Sequence, residues 1–160
     1  MKRQQRGEVP VVTRPIQQPS VVRPPATRRP VSAGELTALA RALAQPAGQP
    51  HWRERVAGHL VPVRQGFVDH VRLTEGPGGL YAELLGQAPR LHRGVRLLTG
   101  EHPALLAALA DLQHAVRQRR VTAAELRRRT GDLLRALTRH RQHGADLLWE
   151  AYQSDLGGET

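Results

Sequence analysis

From residue 51 onward, apolar side chains return every three or four positions over windows far longer than a strand, so the chain must pack as helices. One stripe joins Trp52, Val56, Leu60, Val63, Phe67, His70 and Thr74. A second joins Leu91, Val95, Leu98, His102, Leu105, Leu109, Leu112 and Val116. A third joins Leu126, Thr130, Leu133, Leu137, His140, Gly144, Leu147 and Ala151. A shorter helix is predicted from Ser32 to Ala44, with Leu36, Leu39 and Leu43 on one face and Glu35 at the capping-box distance from Ser32. Thr122 and Glu125 repeat that spacing ahead of the last stripe. Residues 80–88 read as a short helical connector, and the third long helix is expected over 89–119. Pro62 lies inside the second helix and predicts a kink or a split there; Pro103 predicts a bend in the third. Trp149 and Tyr152 are expected to seal the top of the bundle or, if exposed, to cover a partner surface.

Composition supports helices. The chain has 160 residues, and two Trp, two Tyr and one Phe are its only aromatics, so the core is built from Leu, Val and Ala. No cysteine is present, which excludes a disulfide framework, a thiolate zinc site and thiol catalysis. No apolar run reaches the ~18 residues of a membrane span. The opening MKRQQRGEVP lacks the apolar stretch of a secretory signal, so a cytoplasmic protein is expected.

The net charge is +10. It is uneven: residues 1–30 carry seven basic side chains against one acid, and also Pro10, Pro15, Pro19, Pro24, Pro25 and Pro30. Such a segment shows no period and repels itself, which predicts a disordered tail. The fold expected is therefore all-α: an antiparallel, up-down four-helix bundle over residues 32–158 after a disordered basic tail, residues 1–31.

Histidines interrupt the stripes. His70, His102 and His140 each hold a stripe position on a different helix, flanked mostly by aliphatic residues. Imidazole in an apolar core needs a hydrogen bond or a metal. His102 lies 17 residues before Arg119 and His140 lies 18 after Thr122, so both should stand at one level of the bundle. The level of His70 depends on how the connector folds. His143, three residues from His140, adds a further nitrogen on that face. Carboxylates at ligand spacing are scarce: Gly144 stands four residues after His140, Glu75 five after His70, and Glu101 directly beside His102, ~100° around the helix. A metal-free cluster bonded to Thr74, Tyr81, Glu101 or water is the other reading of these residues.

The stretches FVDHVRLTEGPGGLYAELLGQAPRL (67–91), LLTGEHPALLAALADL (97–112) and LLRALTRHRQHGADLLWEAYQSDLGG (133–158) resemble the bacterial hemerythrin-like HHE proteins. The resemblance covers about residues 50–158. It implies an up-down four-helix bundle with a non-haem, often di-iron, centre that binds or senses dioxygen, peroxide or nitric oxide. On this resemblance His70 and Glu75 form one His–acid pair, Glu101 and His102 the next, and His140 is the last histidine. The acid expected after His140 is replaced by Gly144, and the first helix has no histidine. A single metal, or a bundle that has lost metal, fits these departures.

Two functions follow as expectations. The first is a hemerythrin-like bundle holding non-haem iron or another metal, with His70, Glu75, Glu101, His102 and His140 as ligands and His143 as an additional candidate, for a small diatomic ligand or peroxide. The second is a metal-free helical interaction module. Its basic tail, residues 1–30, would bind nucleic acid or an acidic protein, helped by Arg117, Arg119, Arg120, Arg127, Arg128 and Arg129 at the last turn. Nothing resembles a nucleophile–base pair, so a conventional enzyme is not expected.

Overall fold

A computed structural model describes residues 31–153. The tail expected over residues 1–31 therefore lies almost wholly outside the described residues, as does the predicted end at 154–158. Five helices follow in order: α1 (Ala33–Ala44), α2 (Trp52–Glu75), α3 (Leu80–Gln87), α4 (His92–Arg117) and α5 (Ala123–Gln153). There is no strand among the described residues. Helix α1 packs on α2 and α5, α2 packs on α4, and α4 packs on α5, closing a four-helix ring. The protein is an all-α four-helix bundle, with α3 lying against α2.

The helix ends show why these segments form. Ser32 and Glu35 make the full reciprocal capping box of α1: the Ser32 hydroxyl accepts from the Glu35 N–H, and the Glu35 carboxylate accepts from the Ser32 N–H. At α5 only half the box forms. The Thr122 hydroxyl accepts from the Glu125 N–H, but the Glu125 carboxylate turns to Arg128 and Arg129 instead. Orphan carbonyls at two C-termini are met by arginines. Arg127 donates to Leu43 and Gln45 at the end of α1 and lies over the Trp52 ring, whose own N–H donates to Ala42. Arg53 donates to the carbonyls of Val116, Gln118 and Val121, tying α2 to the α4–α5 turn.

Of the kink or split expected at Pro62, the split does not occur: α2 runs unbroken through Pro62, as α4 does through Pro103. Both prolines are exposed, so the missing N–H falls on the solvent side. Trp149 and Tyr152 do not seal the bundle: they are 65% and 69% exposed. They fall off the inward stripe, which passes through Leu147 and Ala151 instead. The third long helix also starts later than expected, after a 3-10 turn over Pro89–Leu91.

The core comes in two parts. The larger unites α1 with one half of α2, α4 and α5 through Leu39, Val56, Leu60, Val63, Leu109 and Leu126. The smaller, at the other end, contains Tyr81, Leu84, Leu91, Val95, Leu98 and Leu147. At 12 residues α1 is ~18 Å long, against ~36 Å for the 24 residues of α2, so it spans only the first part. No described helix is long and apolar enough to cross a membrane.

The Arg53 clasp yields a prediction. Arg53→Ala should lower the unfolding free energy by about 2 kcal/mol, because it strips carbonyl acceptors of a charged, partly buried donor. Arg119→Ala, exposed on the same turn, should change it by less than ~0.5 kcal/mol. Urea unfolding measures both; equal effects would contradict the clasp.

Candidate metal centre

His70, His102 and His140 occur where the two apolar clusters meet. On α4, His102 follows Leu98 of the smaller cluster and precedes Leu105 of the larger. On α5, His140 stands between Leu137 and Leu147 in the same way. His102 and His140 are 1% and 3% exposed, and His70 is half-buried. The three stripes thus bring three imidazoles to one level. The connector does absorb the offset at His70.

Their Nε2 atoms face one another. His70 Nε2 is 3.1 Å from His140 Nε2, and His102 Nε2 is 3.2 Å from His140 Nε2. One ligand atom from each ring lies within 4.8 Å of the other two. Donors of a tetrahedral ion with metal–nitrogen bonds of ~2.0–2.1 Å stand ~3.3 Å apart, which two of these spacings approach.

The other ring nitrogens are held by carboxylates. Glu75 accepts from Nδ1 of His102. Glu101 accepts from Nδ1 of His140 at 2.7 Å and, through its other oxygen, from Nδ1 of His143 at 2.8 Å. A proton on Nδ1 leaves Nε2 of a neutral ring with a lone pair, so these bonds select the tautomer that can ligate. Glu75 and Glu101 therefore stand behind the imidazoles, on the nitrogens that face away from the meeting point. They are also crossed: Glu75, expected to pair with His70, serves His102 from α2, and Glu101, expected to pair with His102, serves His140 from α4. His143 is half-buried and bonded to Glu101; it is not in the group that converges.

Phe67 escaped notice as part of the site. Its ring centroid is 5.6, 5.7 and 5.6 Å from those of His70, His102 and His140, so it floors all three. The signal was available: it is the only phenylalanine, one turn before His70 on the same stripe. Tyr81 from α3 stacks on His102 at 6.1 Å and 12°. Burial pushes its hydroxyl up to about 12, with Thr74 as its hydrogen-bond partner. Thr74 itself donates to the backbone carbonyl of His70 at 2.9 Å, fixing the last turn of α2.

Burial also disfavours the charged forms of His70 and His102. It lowers His70 to about 4, helped by the neighbouring His102 and His140. It lowers His102 as well, against the opposing hydrogen bond to Glu75. Burial alone would raise the Glu101 carboxyl, but its bonds from His140 and His143 hold it below the ordinary value. The cluster thus offers three converging imidazole nitrogens backed by two carboxylates, a set that could hold a metal.

Beside the cluster lies a cavity of about 360 Å³. It is bounded by the start of α1, by α3 and by α5, and reaches His70 and His140. Compared with protein-family models, curated proteins and solved structures, the chain matches none.

The sign of the pH dependence follows. A histidine whose folded pKa is depressed binds fewer protons in the folded than in the unfolded chain, so its contribution is fully present above 6.5 and is lost as pH falls towards about 4. Metal-free protein should therefore show a falling urea midpoint across that window, and His70→Asn should flatten the fall. An identical slope in the variant would contradict the buried, neutral His70.

Proposed function

We propose that this bundle is a metal-binding protein in which His70, His102 and His140 hold one divalent first-row ion through Nε2, with an open position towards the cavity. Non-haem iron is the proposed ion, and dioxygen, peroxide or nitric oxide the proposed small ligand. The observation that carries the reading is the facing of His102 and His140 across 3.2 Å of Nε2–Nε2 distance while each Nδ1 is engaged by a carboxylate. Two lone pairs so placed repel unless a cation or a proton lies between them, and burial disfavours the proton on His102. Imidazole suits iron and zinc alike, and the hemerythrin-like resemblance favours iron. Three donors leave an ion with at least one position for an outside ligand, the pattern of reactive rather than purely structural sites.

When bound, such an iron would supply Lewis acidity and one-electron chemistry. The chain supplies the rest. Glu75 and Glu101 orient the rings of His102 and His140 and raise their basicity. Phe67 excludes water from the floor. Tyr81 holds the His102 ring against rotation.

The alternative, a nucleic-acid or acidic-partner module, draws less support from the last turn. Arg127 is spent on the α1 carbonyls and Trp52, and Arg128 and Arg129 are paired with Glu125. The tail that would lead such binding lies outside the described residues.

Anaerobic loading with ferrous iron, followed by elemental analysis, tests the proposal. One ion per chain is expected. His102→Ala and His140→Ala should abolish it with helicity retained, whereas Glu75→Gln and Glu101→Gln should keep one ion but bind it ~10–100-fold more weakly. Zinc in its place would replace iron as the ion and remove the dioxygen reading. No stoichiometric metal at all would overturn the proposal.

A further inference from the structure

The cavity beside the histidines has a specific origin. Three of the four bundle helices supply an imidazole; α1 does not, because it begins near the level of Gly66 on α2, where Val31 lies against the Gly66 backbone. Beyond that point α3 covers the bundle only partly. On the opposite wall, the stripe of α5 runs Leu137, His140, Gly144, Leu147, and the glycine leaves a side chain's worth of space facing inward. A Cβ built at Gly144 meets no atom within 4 Å. The glycine thus stands where the resemblance expected an acid, and its place is taken by open volume.

The cavity is far larger than a diatomic ligand needs: a water's share of liquid volume is ~30 Å³, and the cavity holds about 360 Å³, within the range of small-molecule sites. Its walls are apolar, formed by Phe67, Leu84, Leu137, Leu147 and Leu148, with Arg141 as the charged side chain among them and exposed. Thr74 directs its hydroxyl proton to its own helix. Tyr81 also lines the cavity, with its hydroxyl engaged by Thr74, so the polar groups that remain are the imidazoles of His70 and His140.

We infer that the cavity seats an apolar organic molecule carrying one metal-ligating head group, its body against the leucines of α3 and α5 and its head at the open position of the ion. This rests on the metal-centre reading. Walls whose hydroxyls are already engaged within the protein recognise mainly shape and apolar area, so affinity should grow with apolar length, and orientation should be set at the ion.

The test uses the full chain loaded with cobalt(II), whose visible bands report the ion and its ligands. Straight-chain carboxylates from acetate to decanoate are the probes, with calorimetry giving affinity. The inference predicts that binding perturbs the cobalt bands and tightens about fourfold per methylene until the cavity is filled. It also predicts that Gly144→Leu, which fills the space, binds cobalt normally but loses the gain with chain length. Wild-type affinity that is flat from acetate to decanoate would overturn the inference and leave the metal centre standing. Equal affinities in the metal-free chain would overturn the head-group assignment. Failure to bind cobalt would overturn the metal centre and, with it, the inference. The wild-type series decides even if the variant does not fold.

Discussion

Everything distinctive about this bundle depends on two carboxylate–imidazole pairs formed across helices. Glu75 on α2 holds His102 on α4, and Glu101 on α4 holds His140 on α5. Each pair ties neighbouring rods at the same height, and each turns an Nε2 lone pair inward. Without them, three imidazoles in an apolar core would be a desolvation cost with no return. With them, the donors have fixed tautomers and fixed directions. The described residues hold no buried side-chain nitrogen or oxygen without a partner, so the polar seam is fully satisfied where it cuts the core.

That seam also explains the two-part core. One apolar cluster is completed by α1, the other by α3, and the histidines occupy the boundary. A fourth rod as long as α2 would have closed the ring at the level of the site. The short α1 leaves that corner to α3 and to the cavity. Openness at the site is thus a consequence of helix length and of one glycine, rather than of a flexible lid.

Much of this was legible in the residues. The steps of three and four specified the helices, and the Ser32–Glu35 box specified where α1 begins. Counting from the α4–α5 turn placed His102 and His140 at one level. The height of His70 could not be counted, because α3 and a 3-10 turn intervene and their rise is not encoded by a period. Which histidine each acid would serve could not be read from spacing, for a geometric reason. A residue beside a stripe position points ~100° away from the stripe, which looks unsuitable for its own histidine but aims Glu101 at the next helix. Spacing within one helix cannot reveal a partner on another. A proline's cost depends on which side of the helix loses the hydrogen bond, and Pro62 and Pro103 both lie on the solvent side, so neither helix is interrupted.

The most direct measurement is a crystal structure of the metal-loaded protein with anomalous diffraction at the edge of the bound ion. The account predicts one anomalous peak per chain, ~2.0–2.2 Å from Nε2 of His70, His102 and His140 together, with Glu75 and Glu101 still on the Nδ1 atoms. A peak elsewhere, or an ion held by the carboxylates or by Nδ1 with these pairs broken, would contradict it.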